Sequence, residues 1–90
     1  MAFKVGDIYE DCAYHPVICE EIEGDDIAGV SMLDGSRPRS CSLRHCGVRK
    51  MSQAEADKRV IAWKKGGERE LMRLRGWTEE AIDIFMKEWR

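Results

Sequence analysis

Cysteine and histidine side chains cluster in two short stretches of this 90-residue sequence. Cys12 and His15 lie in "CAYH", and Cys41, His45 and Cys46 lie in "CSLRHC". A tetrahedral zinc ion usually takes four sulfur or nitrogen ligands as two close pairs. The pattern therefore predicts a metal site with the ligands Cys12, His15, Cys41 and Cys46, and with His45 as the substitute fourth ligand. Four protein ligands leave no open coordination position, so the predicted role of the zinc is structural.

The same thiols have two other interpretations. Reduced cysteine is often a small buried apolar residue, which would account for Cys19 and Cys41. His15 precedes Pro16, where the chain is extended, and would then only cap a turn. The third interpretation is a thiol or zinc redox sensor. The residue types alone leave these alternatives open.

The cysteine and histidine residues do not form a convincing catalytic pair. His45 and Cys46 are adjacent, and neighbouring residues on a helical turn point about 100° apart. A nucleophile needs its base within hydrogen-bonding reach. The sequence also contains no Gly-rich phosphate loop. We therefore expect that the protein is not an enzyme.

Charge is strongly segregated along the chain. Residues 1–35 carry nine acids and one cation, whereas residues 36–50 carry five cations and no acid. Such segregation often marks a surface that contacts a partner, and paired arginines suit an acidic protein segment or a phosphate. The predicted partner-binding surface, at one end of the folded strands, consists of Tyr14, Arg37, Arg39, Arg44 and His45.

The basic stretch 37–50 also has other interpretations. Its cations would neutralise nucleic-acid phosphates, which makes a small nucleic-acid-binding regulator the alternative function. The stretch lacks the aromatic side chains on which single-stranded bases stack, and the sequence pI of about 5.7 opposes a strong nucleic-acid footprint. A protein or peptide partner is therefore the preferred prediction. In the remaining interpretation, the acidic and basic blocks neutralise each other across neighbouring strands.

The elements that must position these residues begin with short strands. Turn residues separate five strand-like segments, with a helical turn before the last one. The segments are 7–11, 16–22, 27–33, 38–42 and 48–51. This order resembles the architecture of a Src-homology-type small barrel, which implies a five-stranded antiparallel barrel closed over residues 4–51. Closure would remove exposed sheet edges and place the loop of Cys12 beside the corner formed by Arg44 and Cys46.

The second part of the chain, residues 52–90, predicts three helices. Ser52 and Glu55 form a capping box in "SQAE", glycines end the first two helices, and Thr78 caps the third. The apolar stripe of the third helix consists of Ile82, Phe85, Met86 and Trp89. This stripe packs on its own barrel or on a second copy of the chain, in a homodimer anchored by Phe85 and Trp89.

Length and composition complete the prediction. Ninety residues fit one α+β domain, residues 1–90. The sequence has no apolar run long enough for a signal peptide or a membrane span, so we expect a cytoplasmic location and no membrane partner. The predicted function is a small non-catalytic binding or adaptor module.

Overall fold

The computed structural model describes residues 3–44 and 48–88. Five antiparallel strands precede three helices within these ranges. The strands are β1 (Ile8–Glu10), β2 (Pro16–Glu23), β3 (Asp26–Ser31), β4 (Cys41–Ser42) and β5 (Arg49–Lys50). The helices are α1 (Gln53–Gly66), α2 (Glu68–Leu74) and α3 (Glu79–Glu88). The predicted α+β class, with five antiparallel strands before the helices, is confirmed.

The prediction of a closed barrel is wrong. The strand order is β4-β3-β2-β1-β5, so β4 and β5 lie at the two ends of an open sheet. Each of these end strands has only two residues, which leaves too little backbone to form a closing ladder. Very short edge strands also expose few unpaired backbone groups, so the sheet has little need of closure. The strand order is compatible with a Src-homology-type arrangement, but a Src-homology fold is not confirmed.

The β2–β3 hairpin is the longest ladder of the described sheet. Its register shifts between Cys19 and Glu21, where β2 contains a bulge. Gly29 of β3 lies opposite Cys19, and a Cβ atom at Gly29 would stand 1.9 Å from the carbonyl oxygen of Ile18. Only glycine permits this close approach. The bulge and the glycine together bend the hairpin, because bulges increase the local twist of a sheet.

An apolar core lies against one face of the sheet. Its buried members are Tyr9, Val17, Cys19, Ile27 and Cys41. The hydroxyl of Tyr9 donates a hydrogen bond of 2.6 Å to the carbonyl oxygen of Arg39. Burial raises the pKa of Tyr9, so this phenol remains a donor at neutral pH. The bond fixes the segment that precedes β4 to the core.

A buried carboxylate attaches the helices to the sheet. Strand alternation places Glu10 on the opposite face from Tyr9, and its side chain is 8% exposed. Atom Oε2 of Glu10 lies 2.7 Å from Nη2 of Arg59 and 3.3 Å from Nε of Arg75, and Oε1 lies 3.6 Å from Nε of Arg49. The contacts of Oε2 are not aligned as hydrogen bonds, so its attraction to these guanidinium groups is mainly electrostatic. One acid thus contacts cations from β5, α1 and the end of α2.

The predicted signals for the starts of two helices are confirmed. The hydroxyl of Ser52 accepts a bond from the Glu55 amide, and Oγ1 of Thr78 accepts one from the Ala81 amide. Ile82 of α3 is fully buried, so α3 packs within its own chain. Trp89, the last residue of the predicted apolar stripe of the third helix, lies outside the described residues. No described helix combines the length and the apolar character needed to span a membrane.

Candidate functional site

A rigid loop between β1 and β2 presents several of the predicted site residues. Oδ1 of Asp11 accepts hydrogen bonds from the backbone amides of Ala13 at 3.0 Å and His15 at 2.9 Å. Oδ2 of the same carboxylate accepts a bond of 2.8 Å from Nε of Arg39. Asp11 therefore shapes the loop with one oxygen and holds the segment before β4 with the other.

Tyr14 occupies a left-handed backbone conformation in this loop, with φ +68°. Such a conformation is uncommon for a side-chain-bearing residue and persists where surrounding contacts enforce it. The Tyr14 carbonyl accepts a bond of 2.9 Å from Arg59, and its hydroxyl accepts one of 3.1 Å from Nε1 of Trp77. The guanidinium of Arg75 lies 5.3 Å from the centre of its ring. Tyr14 thus links the loop to the helices.

Two concave surfaces lie on either side of the Arg39–Asp11 ion pair. Both are lined by Ala13 and Arg39. The first, which we call the thiol depression, has a volume of about 280 Å³ and is also lined by Cys12 and Cys41. The second, which we call the cleft, has a volume of about 350 Å³ and lies between the sheet and the helices. The cleft is lined by Ala13, His15, Asp34, Arg39, Glu68, Phe85 and Met86.

A wider depression of about 520 Å³ runs along β3 and β4. Its walls include Glu21, Glu23 and Asp26, and no histidine or arginine of residues 3–44 and 48–88 lines it. It shares Cys41 and Pro38 with the thiol depression. We take the cleft as the candidate site although it is smaller, because it brings apolar, aromatic and charged side chains from separate elements together.

His15 closes the inner end of the cleft. Its ring is 3% exposed and lies 5.4 Å from the Trp63 ring, measured between centres. Nδ1 is 2.9 Å from Oγ of Ser31, and Nε2 is 3.3 Å from Oε1 of Glu68. Because the Glu68 carboxylate can only accept, Nε2 of His15 is assigned as the donor in that contact, and Oγ of Ser31, which also accepts a bond from the Leu33 amide, is the partner of Nδ1. His15 therefore joins the sheet to α2.

The Ser31, His15 and Glu68 series has the order of a hydrolytic triad, but its serine is enclosed. Ser31 is only 2% exposed. Its hydroxyl already bonds the Leu33 amide and the imidazole of His15. A substrate carbonyl needs direct access to such an oxygen before attack. In this structure the series links elements of the fold and leaves no approach for a substrate to Ser31.

The carboxylates of the cleft outnumber its cations. Oδ1 of Asp34 accepts two bonds from Ser36, which lower the pKa of Asp34, with smaller contributions from the charges of His15 and Arg39. No Lys or Arg within the described ranges lies at ion-pair distance from Asp34 or Glu68. Arg39 already contacts Asp11. Among the described residues that line the cleft, the carboxylates are therefore Asp34 and Glu68, and the one guanidinium is that of Arg39.

The basic stretch is neutralised by the acidic block. Each of its five cations lies within 4 Å of an acid from residues 1–35. The pairs are Arg37 with Glu20, Arg39 with Asp11, Arg44 with Asp25, Arg49 with Glu10, and Lys50 with Asp7. This is the mutual neutralisation that the sequence offered as an alternative.

The predicted partner-binding residues do not all meet in one place. Tyr14 and Arg39 both contact the loop at Asp11. Arg44 pairs with Asp25, in the turn at the far end of β2 from Tyr14. Arg37 pairs with Glu20 in the middle of that strand, and its side chain is 65% exposed. His45 lies outside the described residues.

The predicted zinc ligands are partly brought together. Cys12 and Cys41 line the thiol depression, whereas His15 lies on the cleft side with both ring nitrogens bonded. As a ligand, His15 would have to give up one of these bonds. Cys46 and its substitute His45 lie outside the described residues, and elsewhere in residues 3–44 and 48–88 no three potential ligands form a group. The zinc site stays a prediction.

Sequence reasoning missed four important residues. Asp34 and Glu68 carry no local sequence signal of a site, and Phe85 and Met86 were predicted only as members of the apolar stripe of the third helix, with Phe85 as a possible dimer anchor. The cleft combines them because α2 and α3 fold back beside the loop. Comparison with protein families, curated proteins and solved structures finds no match to the chain.

Proposed function

We propose that this protein is a non-catalytic cytosolic binding module that contacts a protein or peptide partner through the cleft. The observation that carries the proposal is the composition of the cleft. Two carboxylates, Asp34 and Glu68, lie beside the apolar side chains of Phe85 and Met86, and neither acid pairs with a described Lys or Arg. Binding sites typically combine apolar walls with a few polar groups that orient the ligand.

The rigidity of the cleft walls also supports a binding role. The Asp11 carboxylate fixes Ala13 and Arg39, and His15 is held from both ring nitrogens. A preformed surface loses little conformational entropy when a ligand binds. The cleft therefore needs little rearrangement to receive a partner.

The alternative function as a nucleic-acid-binding regulator has less support. The cations that would contact phosphates are engaged by acids, and the cleft itself is lined by the carboxylates of Asp34 and Glu68. Phosphate binding depends on available positive charge. A labelled RNA or DNA probe should therefore show no salt-dependent binding to this chain.

The proposal is tested by filling the cleft. The full chain, labelled with ¹⁵N, is titrated with short peptides of basic, acidic, apolar and mixed composition, and amide shifts are recorded. We expect at least one class to shift amides around the cleft. Ala13→Trp should abolish these shifts because Ala13 is exposed and lines the cleft.

The matched control is Ile84→Trp. Ile84 is 58% exposed on α3 and does not line the cleft, so this variant should bind normally. The proposal fails when no peptide class shifts the amides around the cleft. It also fails when Ala13→Trp binds as well as the unmodified chain.

A further inference from the structure

We propose that the cleft receives a lysine or arginine side chain from an extended segment of a partner protein. This inference rests on the proposed function and specifies its ligand. The first argument is electrostatic. Two carboxylates, Asp34 and Glu68, line the cleft, and the one guanidinium that lines it within the described part of the chain, Arg39, already contacts Asp11. An incoming cation would correct this imbalance, whereas an incoming acid would increase it.

The second argument concerns the carboxylate oxygens. Asp34 uses Oδ1 for both of its bonds to Ser36, and Glu68 uses Oε1 for its bond to His15. Each carboxylate is thus held in place by one oxygen. Its second oxygen has no partner among the residues that the structure describes. A carboxylate can accept bonds on both oxygens, so Oδ2 of Asp34 and Oε2 of Glu68 are available to an ammonium or guanidinium group.

The third argument concerns shape and apolar surface. Lysine and arginine combine an apolar stem with a charged head. Phe85 and Met86 offer contacts for such a stem, and the Phe85 ring also favours a nearby cation. The volume of about 350 Å³ is at the small end of the range for ligand sites. It suits one long side chain, with the rest of the segment passing over exposed Ala13.

The experiment compares four peptides that differ at one position. Each has the sequence Ac-Gly-Ala-X-Ala-Gly-amide, where X is lysine, arginine, norleucine or glutamate. Dissociation constants come from ¹⁵N amide shifts of the full chain. We expect the lysine and arginine peptides to bind about tenfold more tightly than the norleucine peptide, since a charge-assisted contact is worth about that factor. The glutamate peptide should bind most weakly, and added salt should weaken only the basic peptides.

Two variants test the named oxygens. Asp34→Asn and Glu68→Gln should each weaken lysine-peptide binding about threefold to tenfold and leave norleucine-peptide binding unchanged. The matched control is Glu20→Gln, which alters an acid outside the cleft and should bind the peptides normally. If Glu68→Gln does not fold, Asp34→Asn still decides the question, because Asp34 is exposed and its hydrogen bonds to described residues are those with Ser36 in its own turn.

The outcomes separate this inference from the proposed function. Equal binding of the norleucine and lysine peptides at the cleft would overturn the charge inference and leave the binding module intact. Tighter binding of the glutamate peptide than of the lysine peptide would likewise overturn the charge inference and leave the binding module intact. If free n-butylamine bound as tightly as the lysine peptide, the occupant would be a small amine and not a partner segment. Absence of cleft shifts with every peptide would overturn both proposals.

Discussion

Replacing Glu10 with glutamine should destabilise the protein strongly. Glu10 and Arg59 have side chains 8% and 7% exposed, and their charged atoms are 2.7 Å apart. Removing one partner of a buried ion pair typically costs about 3–5 kcal/mol, because the other charge stays buried without compensation. Glu10→Gln removes the negative charge and retains the shape of the side chain. The loss should therefore measure electrostatics and not a packing defect.

The contacts that remain place the expected loss at the lower end of this range. Arg59 keeps its bond to the Tyr14 carbonyl, and Arg49 keeps its contact with Glu55 at 3.1 Å. We therefore expect a fall of about 3 kcal/mol in the free energy of unfolding. For a domain of this size, that corresponds to about 12–24 °C in Tm. Small domains are often stable by only about 5–15 kcal/mol, so the variant should still fold at low temperature.

The assay is equilibrium unfolding in urea, followed by the fluorescence of Trp63 and Trp77. These side chains lie next to His15 and Tyr14, where the helices meet the loop. The midpoint should fall by about 1–3 M with an unchanged slope. The control, Glu20→Gln, breaks the exposed contact with Arg37 and should cost under about 1 kcal/mol.

Equal losses in Glu10→Gln and Glu20→Gln would refute the argument that the buried carboxylate holds the helices on the sheet. A second comparison uses the double variant Glu10→Gln/Arg59→Met. Because this variant contains neither charge of the buried pair, it should recover part of the loss seen in Glu10→Gln. A double variant less stable than Glu10→Gln would show that Arg59 acts mainly through other contacts.

Three further outcomes are expected. Ser31→Ala should lower the unfolding free energy by about 1–3 kcal/mol in urea titrations, since Nδ1 of buried His15 loses its partner; a change below about 0.5 kcal/mol would contradict this. Asp34→Asn should destabilise at pH 7 and converge with the unmodified chain in unfolding curves as the pH falls below the ordinary carboxyl pKa of 3.8, because a lowered carboxyl pKa stabilises only while the group is ionised; a loss that does not change with pH would contradict this. In a Cys46→Ser variant, Ellman's reagent should modify the exposed thiol of Cys12 first. Burial raises the pKa of Cys19, so this thiol should react only when the protein unfolds, and equal reaction rates for Cys12 and Cys19 would refute the prediction.

Local signals in the sequence were sufficient to predict the five strands, the three helices and their order, whereas the predicted helical turn before β5 lies largely outside the described residues. Ser52 with Glu55 and the Thr78 hydroxyl mark helix starts through bonds that span only three residues. Closure of the sheet was not predictable in this way. The segment 38–42 has the composition of a strand, yet only Cys41–Ser42 is one. Residues before it contact β3 through two separate bonds, from the Arg39 amide to the Gly29 carbonyl and from the Ser31 amide to the Ser36 carbonyl, which local turn chemistry does not specify.

The site was only partly predictable because it depends on contacts between distant residues. Arg39, His15 and Tyr14 stood out by residue type, but the bond between His15 and Glu68 spans 53 residues. Residue type is also a poor guide to which side chains of α1 are buried. Ile61 is 66% exposed, whereas Arg59 is 6% exposed. An apolar-stripe argument cannot anticipate a buried arginine whose partner is a strand acid such as Glu10.

The short ends of the sheet limit how a partner can be recognised. Adding a strand from another protein requires several consecutive backbone groups that are open to pairing. β4 and β5 have two residues each, and the neighbouring edge of β3 is engaged by the Arg39 amide and by the Ser36 carbonyl. A partner bound in the proposed cleft would therefore be selected through side chains, and single substitutions there should be enough to change the specificity of the proposed binding.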